Sequence, residues 1–460
     1  MTPAPDLILA ADAAVTMDAD LKVVPRGAVA VAKDQILAVG PLADLQATYP
    51  GARLRDLGRA VLMPGLINAH AHSGFLRGTA EHLPVWEWLT RHINPMHRML
   101  RPEEAEAASY LCYGESLLSG VTTVVDMWRF MQGSARAAEV LGNRLVAVPY
   151  VGEHPDYDYF DRLDMNEALI ESWNGKAGGR ITVWVGLEHL FYADEAGQAR
   201  AIDLAKKHGV PFHTHCSEAE IEVEGFRQRY DRKPMQVFDD LGFFECPLTM
   251  FAHAVWLDEE EVELIAGRSV SIAHNPVSNM KLASGIAPVA EMLARGVPVG
   301  LGTDGEKENN NFDMFEEMKG ASLLGKLRFR DAAAMDSWDC LRMATSLGAR
   351  AIGQEARIGS IEPGKQADII AVRADTPRLT PFFADGPWFN LQHNLVHAVR
   401  GSDVTMTMVA GQIVVDEGRL LTGDMTEIID RIHRLAPGHF SRRAEWLAAN
   451  GGGTVQWTDA

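Results

Sequence analysis

Short apolar runs rich in β-branched residues alternate with stretches of helical periodicity through the middle of the chain. Segments between the runs, such as RPEEAEAASYLCYGESLLSG, have the Leu, Ala and Glu content of helices. Strands and helices that alternate in this way form parallel sheets, so the pattern predicts an α/β fold with a (β/α)8 TIM-like barrel. The eight runs are AVLMPGLINAH, GVTTVVDM, LVAVPYVGEH, ITVWVGLEH, VPFHTHCSE, LTMFAHAV, SVSIAHN and VPVGLGTD.

Polar and ionisable residues gather where these runs end. In a parallel barrel the carboxyl ends of the strands converge on one face, which is the usual place for an active site. We therefore expect the following residues to lie near one another: His70, His72, Asp126, His154, Glu188, His189, His213, His215, His253, His274 and Asp304.

Two pairs of histidines have the spacing of metal ligands. Residues i and i+2 of a strand point to the same side, so His70 and His72 can address one point, as can His213 and His215. Any single histidine among the 16 in the chain is more often structural. Several strand-end imidazoles together with Asp304 are costly to bury without a partner, which predicts a metal centre.

The two ends of the chain have a different texture, with short apolar runs broken by Asp, Gly and Pro. We expect these flanks to form one small β-sandwich domain around the barrel, followed by a helical tail. The predicted divisions are 1–58 and 358–422 for the sandwich, 59–357 for the barrel and 423–460 for the tail.

Charge and cysteine content narrow the function classes. The net charge of −19 argues against nucleic acid or an anionic membrane as a partner and favours a small-molecule substrate. The four cysteines form no CxxC pair, and we find no signal peptide and no run of about 18 apolar residues. We expect a cytoplasmic enzyme with reduced cysteines.

Five motifs in a fixed order carry a family resemblance. PGLINAHAH, HCSE, AHAV, AHNPVSN and GLGTDG together resemble the amidohydrolase superfamily, in the branch of adenosine-derivative and guanine aminohydrolases and triazine chlorohydrolases. The resemblance covers nearly the whole chain and implies a homodimer or homotetramer. It also implies one divalent metal per subunit, with zinc expected and iron, cobalt or manganese also suited. The implied ligands are His70, His72, His215 and Asp304.

The resemblance further implies three catalytic roles. Water bound to the metal has its pKa lowered to about 7, and Asp304 can accept its proton. Glu218, in 215-HCSE-218, would exchange protons with a ring nitrogen and the departing amine, and His253 would stabilise the developing oxyanion. We expect His213 to support the site rather than bind the metal. A two-metal site needs a bridging group, and GLEHL offers only Glu188, with no lysine, so one metal is favoured.

Substrate contacts are less determined. 76-LRGTAEHLPVWEWL-89 resembles the methylthioadenosine and adenosylhomocysteine deaminases, whose ribose-binding glutamate has His97 as its counterpart here. An imidazole cannot accept two hydroxyl hydrogen bonds as a carboxylate does, which weakens a nucleoside assignment. His189 corresponds to the residue that holds a ring nitrogen, and Trp86 and Trp128 are candidate walls. His274 is either a substrate contact or a loop-ordering residue.

The segment after Asp304 departs from the resemblance. It reads 302-GTDGEKENNNFDMFEEM-318, where relatives often have small residues after GTDG. Glu306, Lys307 and Glu308 are either a solvated loop or charged groups at the pocket mouth.

The sequence as a whole predicts a metal-dependent hydrolase. The favoured reaction is deamination of a heteroaromatic or amidine-like ring by attack of metal-bound hydroxide, with release of ammonia. Hydrolysis of a C–Cl, urea, carbamate or amide bond by the same site is an alternative. A catalytically inactive binding protein on a retained barrel is a remote one.

Overall fold

The structure, a computed structural model, describes residues 5–83 and 85–450, and only the backbone of Trp86. In these ranges a π-helical turn occupies Leu89–Ile93. Strands and α-helices are numbered in chain order. The α-helices are α1 (Leu42–Thr48), α2 (Val85–Trp88), α3 (Asn94–Met99), α4 (Pro102–Leu118), α5 (Met131–Leu141), α6 (Leu163–Trp173), α7 (Lys176–Gly179), α8 (Glu195–His208), α9 (Glu220–Tyr230), α10 (Pro234–Leu241), α11 (Glu259–Ile265), α12 (Pro276–Lys281), α13 (Val289–Ala294), α14 (Met314–Phe329), α15 (Ser337–Met343), α16 (Ser346–Ala351), α17 (Leu391–His397) and α18 (Met425–Ala449).

Two five-stranded parallel sheets carry the predicted strands. All eight apolar runs contribute, and the fourth and eighth are each split in two, at Trp184 and at residues 302–303. One sheet has the order β11 (Ile181–Val183), β10 (Arg144–Pro149), β9 (Val121–Trp128), β8 (Leu66–His72) and β17 (Asp304–Gly305). The other has the order β12 (Val185–His189), β13 (Phe212–Cys216), β14 (Thr249–His253), β15 (Val270–His274) and β16 (Val299–Leu301).

Strands from the two ends of the chain form the other two sheets, of which the second contains strands from both ends. The first has the order β5 (Gln35–Pro41), β4 (Gly27–Ala32), β1 (Leu7–Ala10) and β6 (Arg53–Asp56). The second has the order β21 (Arg419–Leu420), β20 (Gln412–Asp416), β19 (Val404–Val409), β18 (Ile369–Arg373), β7 (Ala60–Pro64), β2 (Ala13–Val15) and β3 (Val23–Pro25). β7 pairs with β2 on one side and β18 on the other, so the two flanks of the sequence meet in one sheet.

The run AVLMPGLINAH was expected to be one strand, and it is two. Its first half, β7, belongs to the seven-stranded sheet, and its second half, β8, carries the histidines. The chain changes sheets at Pro64 and Gly65. A side chain at position 65 would lie 2.3 Å from the Thr122 side chain, so glycine is needed for this close approach.

Apolar side chains from the four-stranded and the seven-stranded sheet form one buried cluster. Leu9 and Val29 come from the four-stranded sheet, and Leu62, Ile369 and Met408 from the seven-stranded one. Each is fully buried or nearly so, and burial of such a side chain contributes about 1.5–3 kcal/mol.

In the described part of the chain, no helix combines the length and the apolar composition that a membrane span requires. All four cysteines are buried there, and none is bonded to another.

A buried ion pair joins the parallel sheets to the strands from the chain termini. Arg144, at the start of β10, donates from Nε to Asp368 at 2.6 Å and from a terminal nitrogen at 2.9 Å. Asp368 directly precedes β18 and also accepts the N–H of Ala410 at 2.7 Å. Both side chains are buried, so either charge left alone would be desolvated without compensation.

We predict that Arg144→Met destabilises the protein by about 3–5 kcal/mol, because it leaves the Asp368 carboxylate buried and unpaired. Urea unfolding followed by circular dichroism measures the change. Arg136→Met removes an exposed pair with Glu106 and should cost less than about 1 kcal/mol. Equal effects of the two variants would contradict the prediction.

Candidate functional site

Three histidines and one aspartate meet at the carboxyl ends of the two parallel sheets. His70 and His72 lie on β8, His215 on β13 and Asp304 at the start of β17. The Nε2 atoms of His72 and His215 are 3.1 Å apart. Asp304 Oδ1 lies 3.3 Å from His72 Nε2 and 3.4 Å from His70 Nε2. The structure thus brings together the four side chains predicted as metal ligands.

The second nitrogen of each imidazole determines what the first can do. His72 Nδ1 is 2.6 Å from the carbonyl oxygen of Met127, and His215 Nδ1 is 2.6 Å from that of Glu188. A carbonyl oxygen can only accept, so each Nδ1 carries the hydrogen and each Nε2 presents a lone pair. Burial lowers the pKa of both histidines well below the usual range, which keeps them neutral.

His70 reaches the same state through His213. His213 Nδ1 lies 2.9 Å from the carbonyl oxygen of Met250, so it donates there and leaves its Nε2 as an acceptor. That acceptor is 2.9 Å from His70 Nδ1, which therefore donates to it. His70 Nε2 is left with a lone pair and has no hydrogen-bond partner among the described residues. His213 thus orients His70, which is the supporting role expected for it.

Lone pairs that face one another at 3.1 Å repel unless they share a cation. The Asp304 carboxylate lies 3.3–3.4 Å from the Nε2 atoms of His72 and His70, and its negative charge adds to this repulsion. Ligand histidines characteristically donate their other N–H to a carbonyl or similar acceptor, as these do. The donor set of three imidazole nitrogens and one carboxylate therefore fits a divalent transition-metal ion.

His253 has the opposite tautomer. Asn279 Nδ2 donates to His253 Nδ1 at 2.9 Å, and Asn275 Nδ2 does so at 3.3 Å. The hydrogen of His253 consequently lies on Nε2, which is 3.8 Å from Asp304 Oδ2. Although His253 also lies close to His70 and His215, it offers a donor to the centre rather than a ligand.

Asp304 is held as an ionised carboxylate under backbone strain. Ser278 donates to its Oδ2 at 2.6 Å, and its own neighbour Gly305 donates N–H to Oδ1 at 2.9 Å. Burial opposes ionisation, but the Nε2 hydrogen of His253 and the donors Ser278 and Gly305 favour the charged form, and the pKa of Asp304 lies well below the usual range. Its φ of 60° and the φ of 75° at His253 are unusual for non-glycine residues and cost about 1–3 kcal/mol each.

Glu218 has the opposite protonation state. Its carboxyl lies 3.9 Å from His253 Nε2 and accepts a hydrogen bond from Ser284 Oγ at 3.2 Å. Burial, with the nearby Asp304 charge, raises the pKa of Glu218 to about 8, so it carries a proton at neutral pH. One acid is thus ionised and the other protonated within the same cavity.

Glu222 is a functional candidate that the sequence analysis did not select. It lies in the first turn of α9 and accepts the backbone N–H groups of Ser217 at 2.6 Å and Glu218 at 2.8 Å. It also lies 3.1 Å from His189 Nε2. Burial opposes a charge on His189, but Glu222 raises its pKa, so the imidazole is held ready to donate. The signal in the sequence was its position four residues after Glu218, in the segment that forms the first turn of α9.

Most predicted substrate contacts lie behind the cavity wall. His97 stacks on Tyr150, with ring centres 4.7 Å apart, and Trp128 meets His97 edge to face. The Trp128 indole N–H bonds to the Ala105 carbonyl, away from the cavity. His274 is buried, and burial lowers its pKa to about 3. The side chain of Trp86 lies outside the described residues.

Strand β10 ends earlier than expected. It stops at Pro149, so His154 lies beyond the strand end, a third exposed, and accepts the Asp156 N–H instead of facing the centre. Tyr150 takes the place at the strand end and lines the cavity. A tyrosine inside an apolar run gave no signal of this role.

The segment after Asp304 is not a solvated loop. Glu306, Lys307 and Glu308 are only 0%, 2% and 5% exposed. Glu306 accepts the N–H of Leu76, and Lys307 pairs with Glu308 at 2.8 Å. Of these three, Glu308 lines the cavity.

Glu188 also lines the cavity but does not face the Nε2 atoms of the predicted metal ligands. Its carboxyl is 3.9 Å from His215 Nδ1, on the side of that ring opposite the cluster of Nε2 atoms. This position does not suit a bridge between two metals.

The central cavity has a volume of about 40 Å³, enough for a few water molecules at most. Part of its wall, formed by Val85, Trp88 and Leu89, comes from α2 and the adjoining π-helical turn. The described lining residues are His72, Val85, Trp88, Leu89, Tyr150, Glu188, His189, His215, Glu218, Glu222, His253, Leu282, Asp304 and Glu308.

Known protein families and relatives match most of this chain. The model of the amidohydrolase family matches residues 61–414, and that of an imidazolonepropionase-like composite domain of bacteria matches residues 27–52. The chain is 39% identical over 436 residues to a 5-methylthioadenosine/S-adenosylhomocysteine deaminase of Syntrophobacter fumaroxidans, covering 94% of this chain and 98% of that one.

Solved structures give the same result. A zinc-bound adenosine deaminase from Xanthomonas campestris superposes with a TM-score of 0.88 at 30% identity, over 95% of this chain and all of that one. An atrazine chlorohydrolase from Arthrobacter aurescens, at 22% identity, shares the fold with a TM-score of 0.82 over 93% of this chain and 99% of that one. The resemblance seen in the sequence is confirmed: this chain belongs to the amidohydrolase family.

Proposed function

We propose that this chain is a metal-dependent aminohydrolase that deaminates a heteroaromatic or amidine-like ring and releases ammonia. The observation that carries the proposal is the position of two acids in one cavity: Asp304 lies 3.3–3.4 Å from the Nε2 atoms of His72 and His70, and Glu218, whose pKa is raised by burial, lies 3.9 Å from His253 Nε2. Hydrolytic deamination needs a base for the attacking water and an acid for the ring nitrogen. The deaminases among the relatives support this reaction class.

One divalent ion, for which we propose zinc, would be held by His70, His72, His215 and Asp304. When bound, it would lower the pKa of a water molecule and so supply a nucleophile at neutral pH. The zinc-bound adenosine deaminase supports this choice of metal.

Three side chains of the protein carry out the proton transfers and stabilise the developing negative charge. Asp304 accepts a proton through its second oxygen, Oδ2, which otherwise accepts from Ser278. Glu218 donates its proton to a ring nitrogen, which makes the ring carbon more electrophilic. It then takes up the proton held by Asp304 and passes it to the departing amine, and the proton that the added hydroxyl loses as the carbonyl forms restores the acid form of Glu218. His253, fixed by Asn275 and Asn279, directs its Nε2 hydrogen toward the oxygen that develops negative charge.

The cavity favours neutral or cationic substrates. Five of the described lining residues are acidic, and no lysine or arginine is among them. A phosphorylated or carboxylated ligand would meet no positive side chain in this wall. Adenosine-type nucleosides are the first class to test, because the relatives' names include deaminases of such compounds.

Four further features are part of the proposal. The two parallel sheets close into one eight-stranded barrel, supported by the continuous chain at Trp184 and at 302–303. The terminal strands form a sandwich domain from 1–58 and 358–422 beside the barrel of 59–357 and the tail of 423–460, although the pairing of β7 favours a boundary after Pro64. The protein is a homodimer or homotetramer, as the resemblance implies. It acts in the cytoplasm, which its four buried, unbonded cysteines support.

We predict that His215→Ala abolishes tight binding of one zinc ion per subunit, because it removes one of three converging lone pairs. Zinc content after dialysis, measured by plasma mass spectrometry, is the readout. His154→Ala alters a partly exposed strand-end histidine outside the cluster and should retain one zinc. Retention of zinc by the His215 variant would contradict the ligand assignment.

We predict that Asp304→Asn lowers ammonia release at least 1,000-fold, within the range of about 10²–10⁴ for loss of a general base, and leaves the fold intact. A coupled ammonia assay over purines, pterins, pyrimidines and triazines measures it, with circular dichroism as the check on folding. Release at the wild-type rate would refute the mechanism. If the wild type releases no ammonia from any compound while splitting C–Cl, urea or amide substrates, the reaction class is wrong.

We predict that kcat/KM falls as the pH rises through about 8, because Glu218 must be protonated to donate and burial raises its pKa to that value. Below this pH the acid form predominates, and the activity that depends on it is present. Glu218→Gln should lower kcat/KM by about 10²–10⁴-fold. Glu220→Gln, which changes an exposed neighbour, should keep both the rate and the pH profile. A flat alkaline limb in the wild type would be inconsistent with this role.

A further inference from the structure

Two carboxyl groups in the cavity wall have no part in the chemistry described above. Glu188 is the last residue but one of β12, and Glu308 follows β17, so they come from different parallel sheets. Both are buried, at 6% and 5% exposure. Burying a carboxyl group is costly unless it is hydrogen-bonded, so each needs a partner.

Glu188 has one oxygen without a partner. Its Oε1 accepts a hydrogen bond from Tyr150 OH at 3.2 Å. Its Oε2 is buried and has no hydrogen-bond partner among the described residues. Tyr150 remains a neutral donor, because burial, with Glu188 and Glu308 nearby, raises its pKa well above the usual range. The unsatisfied oxygen points to a donor supplied by a ligand.

Glu308 is positioned by its neighbours rather than by solvent. Lys307 Nζ lies 2.8 Å from one oxygen and 3.2 Å from the other, and Lys307 itself is not part of the described cavity wall. A side chain at Gly305 would lie 2.0 Å from Glu308 Oε2 and 2.9 Å from Lys307 Nζ. Glycine at 305 thus lets the ion pair lie against the backbone, with the carboxylate toward the cavity and the ammonium behind it.

We propose that Glu188 and Glu308 form an acceptor subsite, completed by Tyr150, that binds hydrogen-bond donors on a part of the substrate other than the reacting carbon. This inference rests on the proposed function and deepens it. The ligand chemistry is a neutral group with N–H or O–H donors: the hydroxyls of a sugar, or additional N–H groups of the ring itself. Burial raises the pKa of Glu188 to about 7 and that of Glu308 to about 8, so both are acceptor-only carboxylates above about pH 8, where a group without donors gains nothing.

The deaminated products test the subsite without turnover. Calorimetric dissociation constants of the zinc-loaded protein would be measured for inosine, 2′,3′-dideoxyinosine, hypoxanthine and xanthine. The proteins are the wild type, Glu188→Gln, Glu308→Gln and the control Glu306→Gln. Glu306 is equally buried, but it accepts the Leu76 N–H and does not line the cavity. Thermal unfolding confirms that each variant is folded.

Above about pH 8, where the carboxylate forms predominate, loss of one acceptor carboxylate should weaken binding by about 10- to 100-fold. If sugar hydroxyls are the donors, Glu188→Gln and Glu308→Gln weaken the binding of inosine by this factor and the binding of 2′,3′-dideoxyinosine by less than threefold. If ring N–H groups are the donors, the two substitutions weaken the binding of xanthine more than the binding of hypoxanthine. The control should change no ligand by more than threefold.

The subsite is overturned if both variants bind every ligand as the control does, or if all four ligands weaken by one common factor. It is also overturned if the wild type binds none of them. The proposed function is judged separately, by ammonia release from the wider panel, so either can fail alone.

Discussion

The site depends on where the hydrogens of four imidazoles lie. Carbonyl oxygens of Met127 and Glu188 hold the Nδ1 hydrogens of His72 and His215, and His213 does the same for His70. Each of these contacts leaves an Nε2 lone pair; those of His70 and His72 lie 3.3–3.4 Å from Asp304, and that of His215 lies beside His72 Nε2. Two asparagines fix His253 the other way round. The same residue type thus supplies the three proposed ligands and one donor, and the backbone and amide partners determine which histidine has which role.

The two acids differ for a similar reason. Asp304 accepts two hydrogen bonds and faces the Nε2 hydrogen of His253, so its charged form is stabilised despite burial. Glu218 lies in the same cavity, faces the Asp304 charge and keeps its proton. Neighbouring titratable groups whose environments push their pKa values apart are the usual arrangement for a base and an acid that act together. The left-handed backbone at Asp304 and His253 is consistent with a geometry maintained for function.

The sequence predicted those parts that follow from strand periodicity. Side chains two apart on a strand share a face, and parallel strand ends converge, so the set His70, His72, His215 and Asp304 could be assembled from spacing and resemblance. The family and the aminohydrolase class are confirmed. Contacts across the cavity could not be predicted, because they depend on side-chain direction. His97 stacks behind Tyr150, Glu222 reaches back from α9 to His189, and the charged segment after Asp304 is buried by pairing with its own neighbours. The division of AVLMPGLINAH into two strands depended on packing at Gly65 against Thr122, which periodicity does not record.

The central claim is that these side chains hold one metal ion. Anomalous diffraction at the zinc absorption edge, from crystals of the zinc-loaded protein, tests it most directly. The account predicts a single peak at about 2.0–2.2 Å from the Nε2 atoms of His70, His72 and His215 and from a carboxylate oxygen of Asp304. Two peaks about 3.5–4 Å apart, or one peak that is bound by His253 in place of Asp304, would contradict it.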